Sequence, residues 1–178
     1  ARINDVYVTA DGYLEVTINE GYVGEIHLIG NDKTKDYVVE REIDLVEGEV
    51  FNINRVQRNL QNIYFLGFFS ENIRMDLQYA DYESNIADVY INLEEVDTGD
   101  FFFGGGYNTK TGWFGSLRIG EKNLLGRGQE ISFDGELGVR SRSINLRFHE
   151  PHLIGSPYSI STGFYWRFDR EEDPDTEE

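Results

Sequence analysis

Cysteine is absent from this chain of 178 residues. Disulfides and thiolate metal sites are therefore excluded, and no compartment is favoured by that alone. Proline is scarce at 3 residues, and methionine occurs once. No run of about 18 apolar residues exists, which excludes a membrane-crossing helix. A membrane β-barrel escapes this exclusion, because its strands are short and only half apolar. Basic residues are outnumbered, 16 Lys+Arg against 33 Asp+Glu, for a formal net charge of −17. Such a balance argues against nucleic acid or any other phosphate-rich partner, small basic patches apart. No signal peptide opens the chain, since Ala1-Arg2-Ile3-Asn4-Asp5 leads straight into a strand-like run. What is plentiful is glycine, at 19 residues, and aromatic side chains, at 14%. With so little proline, that mixture suggests β-structure.

Three regions follow one another. Residues 1–20 read as a hairpin: Val6 and Val8 alternate with polar residues, Ala10-Asp11-Gly12 supplies turn chemistry, and Tyr13 to Ile18 alternates again. Two strands alone are marginal in water, so this hairpin needs a neighbour. Residues 21–97 read as a small α+β domain. Val23 to Ile29 forms a strand closed by Gly30-Asn31. Thr34 can cap a first helix that carries Tyr37, Val38 and Val39 and ends near Ile43. Asn52 or Asn54 can cap a second. Its Val56, Leu60 and Ile63 fall on one face, and Gly67 suits its C-terminus. Two alternating strands follow, Ile73 to Tyr79 and Ala87 to Leu93, joined by the polar turn Asp81 to Asn85. The order is β-α-α-β-β.

Residues 98–178 carry no helix signal. Strict period-2 alternation predicts five strands of about 10 residues, the length a tilted strand needs to cross a bilayer. Trp113, Leu117 and Ile119 oppose Phe114, Ser116 and Arg118. Ile131, Phe133 and Leu137 oppose Glu130, Asp134 and Glu136. Such a sheet has one apolar and one charged face. A soluble sandwich would need a helix or second sheet to cover the apolar face, and this region offers neither. Lipid would cover it without further residues, and Trp113, Tyr158 and Trp166 near strand ends suit membrane interfaces.

The segment GYVGEIHLIGNDKTKDYVVEREIDLVEGEVFNINRVQRNLQNIYFLGFF resembles a POTRA (polypeptide-transport-associated) domain. Its Gly-Asn after the first strand, its Thr-x-Asp helix start, the EGEVFN link and the LGFF exit carry the likeness. GGGYNTKTGWFGSLRIGEKNLLGRGQEISFDGELG resembles the first barrel hairpins of BamA-like outer-membrane assembly factors. There KNLLGRG is the first periplasmic turn and HEPHLIGSPYS the second. The resemblance implies an α+β POTRA domain followed by an antiparallel all-β segment, the N-terminal part of a transmembrane β-barrel. Residues 1–20 would then be the last hairpin of a preceding POTRA domain. The family closes sixteen strands and five are counted here, so the resemblance implies a fragment, a deliberate truncation or a naturally short variant.

It further implies no enzyme activity, no catalytic residue, no metal and no cofactor. The expected function is assembly of outer-membrane proteins, with a POTRA-type docking scaffold or a two-partner-secretion-like translocation pore as alternatives. Expected partners are unfolded outer-membrane β-barrel proteins, accessory assembly lipoproteins, membrane lipid and further copies through open strand edges. The expected location is the outer membrane, with the POTRA domain in the periplasm. Two surfaces would take client strands by β-augmentation. One is the edge strand Asn72 to Tyr79, with Asn72, Ile73, Arg74, Met75, Asp76 and Leu77. The other is the gate strand Asp100 to Asn108, with Phe101, Phe102, Phe103, Gly104, Gly105, Gly106 and Tyr107. The three glycines either weaken side-chain pairing where a seam must open, or permit bending at a barrel corner.

Other chemistry is weakly signalled. His27, His149 and His152 are scattered, and a structural or solvated role outweighs a metal site. Glu130, Asp134 and Glu136 read as a solvated barrel lining rather than catalytic carboxylates. Gly126-Arg127-Gly128 lacks the strand-loop-helix setting of a phosphate loop. The acidic tail Asp169 to Glu178 reads as an exposed loop start, with calcium attraction as the alternative.

Overall fold

The structure, a computed structural model, describes residues 2–81, 85–110 and 112–170. Most of the turn expected at Asp81 to Asn85, and the acidic tail beyond Arg170, lie outside these residues. The chain divides into two units, Ala1–Val96 and Asp97–Glu178.

The first unit opens with an antiparallel hairpin, β1 (Arg2–Val8) and β2 (Leu14–Asn19). Then come β3 (Tyr22–Ile29), α1 (Asp36–Glu40), α2 (Ile53–Phe65), β4 (Arg74–Asp81) and β5 (Ile86–Asn92). This is the β-α-α-β-β order expected from periodicity. The sheet runs β3-β5-β4: β3 and β5 are parallel, β5 and β4 antiparallel. A parallel pair needs a crossover, and the two helices supply it. They cover one sheet face, where Val38, Val39, Val56 and Ile63 meet Val23, Val89 and Ile91 in one core cluster.

Local chemistry explains the boundaries. Gly30 has φ +93°, and a Cβ there would stand 2.1 Å from the Leu93 carbonyl oxygen. Only glycine both adopts that conformation and permits that approach. α1 is short because Val38 and Val39 are poor helix formers, and burial of both holds it. It stops at Glu40, and isolated turns carry the chain on to Ile43. Thr34 does not cap it. The N-cap is Lys35, with no side-chain bond, and Thr34 is buried. Instead the Glu95 carboxylate accepts the N–H groups of Lys33 (2.9 Å) and Thr34 (2.6 Å). Asn52 is the cap of α2, accepting the Asn54 N–H at 2.9 Å. The buried stripe of α2 is Val56, Asn59 and Ile63, while Leu60 is half-buried on its flank. The helix is thus turned by one position from the expected stripe, and a polar side chain takes the inner place.

The second unit is one antiparallel sheet of five strands in sequence order: β6 (Gly99–Asn108), β7 (Gly112–Glu121), β8 (Glu130–Gly138), β9 (Ser141–Glu150) and β10 (Ile160–Asp169). Each neighbour lies antiparallel and in unbroken register. Number and length agree with the alternation pattern.

Ile63 is fully buried and Leu60 is not. Ile63→Ala is expected to lower unfolding free energy by about 2–5 kcal/mol, and Leu60→Ala by less. Urea unfolding followed by far-ultraviolet circular dichroism will rank them. Glu95 adds a pH dependence. Burial raises its pKa, but hydrogen bonds from the Thr34 side chain and the Lys33 and Thr34 N–H groups outweigh this and hold the carboxyl below its ordinary range. A depressed folded pKa gives stability that is present above the unfolded value, about 4.3, and is lost as pH falls through the folded one. The urea midpoint of Glu95→Gln should therefore fall less steeply with acidification than that of the parent chain.

Candidate functional site

In a sheet, a strand paired on one side only is where another chain can add. Four such strands matter here. In the first unit the edges are β3 and β4. The outer side of β3 is occupied at its start by the link between the helices. Val23 N–H donates to Glu49 O (2.9 Å), Gly48 N–H to Val23 O (2.8 Å) and Phe51 N–H to Gly21 O (2.8 Å). Arginines of α2 pin that link: Arg55 reaches Glu49 at 2.5 Å and Arg58 reaches Asp44 at 2.6 Å. Inside β3 the register shifts between Val23 and Ile26, and Asp88 Oδ1 accepts the Glu25 N–H at 2.9 Å.

β4 has no such cover among the described residues. Its ladder to β5 starts at Arg74↔Asn92. The expected edge strand therefore begins two residues late, and Asn72 and Ile73 precede it. Asn72 is held otherwise: its N–H donates to Ser70 Oγ (3.2 Å) and its amide to Glu94 Oε2 (3.2 Å). Those bonds from Asn72 and Ser70 hold the Glu94 carboxyl below its ordinary range. Met75 and Leu77 pack onto the core, as does Ile73, while Arg74 and Asp76 are exposed.

In the second unit the edges are β6 and β10. β6 pairs with β7 over all its residues, from Gly99↔Glu121 to Asn108↔Gly112. One face carries Phe101, Phe103 and Tyr107 beside Ile119, Leu117 and Trp113, and continues through Phe133, Leu146 and Phe164. Phe101 and Phe103 are 71% and 75% exposed. Tyr107 meets Trp113 edge-on at 5.3 Å. The other face is polar. Arg118 pairs with Asp134, which Asn145 also approaches at 3.4 Å, and Glu136 accepts from Ser141 Oγ at 3.1 Å.

The glycine triplet is met differently on the two faces of β6. On the polar face, the Phe102 ring lies over Gly104 and the Phe114 ring over Gly106, where a Cβ would stand 2.8 Å and 3.1 Å from ring carbons. Rings fill what the glycines vacate. On the apolar face Gly105 sits opposite Gly115, a cross-strand pair without side chains. β6 is thus cushioned on one face and unlatched at mid-length on the other. Periodicity does not reveal those rings, because Phe102 and Phe114 sit at polar-face positions.

The remaining candidates disperse. His27 stacks on Tyr90 at 4.6 Å, His149 Nδ1 lies 2.8 Å from Ser161 Oγ, and the backbone N–H of His152 donates to Glu150. Glu130 lies across from His149 in the ladder and is remote in register from the Arg118–Asp134 pair.

Residues 21–96 match the POTRA model described as surface antigen variable number repeat, and residues 123–178 match the Omp85 superfamily domain. The chain is 28% identical over 144 residues to the outer membrane protein assembly factor BamA of Neisseria meningitidis, covering 81% of this chain and 18% of that protein. It is 32% identical over 149 residues to a putative outer membrane protein assembly factor of Treponema pallidum, covering 80% and 17%. It spans less than a fifth of either relative. BamA from Haemophilus ducreyi lacking POTRA domains 1–3 has the same fold, with a TM-score of 0.74 at 24% identity over 92% of this chain and 32% of that one.

Backbone contacts decide which glycines tolerate a side chain. A Cβ on Gly163 would stand 2.8 Å from the Leu146 carbonyl oxygen, whereas one on Gly104 is crowded by the tip of the Phe102 ring and meets Ser116 Oγ at an ordinary 3.6 Å. Gly163→Ala should cost about 1–3 kcal/mol as β9 and β10 shift apart. Gly104→Ala should cost less, as the ring swings aside. Thermal unfolding of both variants in detergent gives the comparison.

Proposed function

We propose, from the premise that this chain is a BamA-like member of the Omp85 superfamily, that it works in the assembly of outer-membrane β-barrel proteins. Its place is the outer membrane, with the POTRA domain in the periplasm. Client segments add as strands, first at the β4 edge and then at the β6 edge. Accessory assembly lipoproteins and further copies of the chain are candidate partners at the same edges.

The observation that carries this reading is the asymmetry of β6. It has a complete ladder on one side, no strand on the other among the described residues, and a side-chain-free centre at Gly105 opposite Gly115. In a bilayer each unpaired backbone group costs several kcal/mol, so such an edge must always hold a partner strand. Exchange of one partner for another conserves those bonds, so no nucleotide or metal is needed to drive it. Missing side chains at mid-strand lower the cost of letting go, while Phe103 and Tyr107 to either side give an arriving strand its apolar register. At β4 the same backbone chemistry operates in water, where a strand gains bonds from an edge the helix link leaves open. Selectivity there would be for alternation rather than for sequence.

The absence of native cysteine makes a direct test clean. Single cysteines at Phe101, Phe103 and Tyr107 on β6, Gln78 on β4 and Leu137 on the inner strand β8 would be offered an unfolded barrel protein with cysteines along its last strand. Disulfides are expected on β6 and β4, and moving the client cysteine by two residues should move the β6 cross-link by two. Equal cross-linking at Leu137, or no dependence on register, would refute strand addition.

A further inference from the structure

The turns joining β7 to β8 and β9 to β10 share one backbone. In the first, Glu121 Oε1 accepts the Asn123 N–H at 2.8 Å; in the second, Glu150 Oε1 accepts the His152 N–H at 3.0 Å. Leu124 N–H then donates to Gln129 O, and Leu153 N–H to Tyr158 O, both at 2.8 Å. A single 3₁₀ turn follows in each, Leu124–Gly126 and Leu153–Gly155. Gln129 Nε2 donates to Glu150 Oε2 at 2.6 Å and ties the two turns together. Antiparallel register puts both at the same end of the sheet, where β6 begins.

At the centre of each turn one residue other than glycine adopts a left-handed conformation: Leu125 (φ 54°, ψ 25°) and Ile154 (φ 54°, ψ 40°). Branched aliphatic residues resist that region, and for β-branched isoleucine it is a genuine outlier; glycine or asparagine would enter it readily. Backbone geometry therefore does not select these two residues. Packing does not select them either, since Leu125 is 73% and Ile154 97% exposed. Two strained positions thus hold out large apolar side chains that the described residues of their own unit leave exposed.

Their turns close the end of the sheet beyond Ile119 and Phe148, the last apolar side chains on that face of β7 and β9, and past Glu121 and Glu150, with which the ladders end. Two single side chains, about 10 Å apart across two strand spacings, make no contiguous patch of the size a protein partner needs. A fluid apolar phase needs no matching shape. We propose that Leu125 and Ile154 are lipid anchors, inserting into the headgroup end of the acyl chains of the leaflet at the turn end of the sheet. This rests on the outer-membrane reading above. The turns' strained backbone fixes both side chains in place before lipid is met, so the sheet's depth in the bilayer is set at this rim.

Because the chain lacks cysteine, single cysteines at Leu125, Ile154, Lys122 and Phe103 can each carry one environment-sensitive fluorophore. The labelled chains are reconstituted in phosphatidylcholine vesicles with nitroxide at acyl carbon 5 or carbon 12. Labels at 125 and 154 should be quenched more by the shallow nitroxide than by the deep one. The label at 103 should be quenched by the deep one, and that at 122 by neither. Quenching at 103 without quenching at 125 and 154 overturns the anchors and leaves the membrane reading intact. Equal quenching at 122 shows that the turn as a whole, not these two side chains, meets lipid, and also overturns them. No quenching at any position overturns the membrane reading and the anchors with it.

Discussion

A strand edge is a row of hydrogen-bonding groups without partners, and how each edge is met governs most of this molecule. In the POTRA unit, β3 and β4 both lie at the margin of a three-stranded sheet. The chain spends its interhelical link on β3, held there by Arg55 and Arg58 from α2. Among the described residues no comparable link lies along β4. In the second unit the solution is postponed: β6 and β10 each keep one neighbour, and water cannot satisfy their outer sides within lipid. Exposed edges are normally blunted by charge, proline or bulges. Beyond Asp100, β6 carries aromatic residues and glycine along most of its length, and its register has no bulge.

The apolar face follows from the same economy. In water, a sheet with Phe101, Phe103, Leu146 and Phe164 on one side would have to be covered by another layer. Here nothing among the described residues of the unit covers it, and those residues remain exposed. The polar face, by contrast, holds internal contacts, Arg118 with Asp134 and Glu136 with Ser141. Paired charges on one side and unpaired apolar surface on the other describe a barrel wall, lined by polar groups and facing lipid.

Much of this was legible in the sequence. Period-2 alternation from Phe101 to Phe168 fixes five strands and their facing, because one register slip would turn every side chain over. Gly30 and Gly67 marked the ends of elements through their backbone freedom. Less legible was anything decided by neighbours distant in the chain. Thr34 has the chemistry of a cap, yet Glu95, sixty-one residues away, takes its N–H. Leu60 fits the helical stripe, yet α2 settles with Asn59 inward. The start of β4 shifts from Asn72 to Arg74 because Glu94 and Ser70 claim Asn72. In the glycine triplet, the sequence displays the glycines, while the rings of Phe102 and Phe114 that lie over Gly104 and Gly106 come from positions that alternation marks as polar. The paired turns carried a visible sign, Leu-Leu-Gly and Leu-Ile-Gly in matching places, but only backbone angles show that their middle residues are strained.

The parallel pairing of β3 with β5 has a mechanical meaning. The POTRA unit is entered through β3 and left through β5, which lie side by side and point the same way, from Tyr22↔Ile86 to Ile29↔Asn92. Tension along the chain therefore draws the two strands past each other lengthwise. Their interstrand bonds are loaded together in shear, and none can be peeled off singly. A pull along the chain thus meets this pair in shear, on either side of the register shift between Val23 and Ile26.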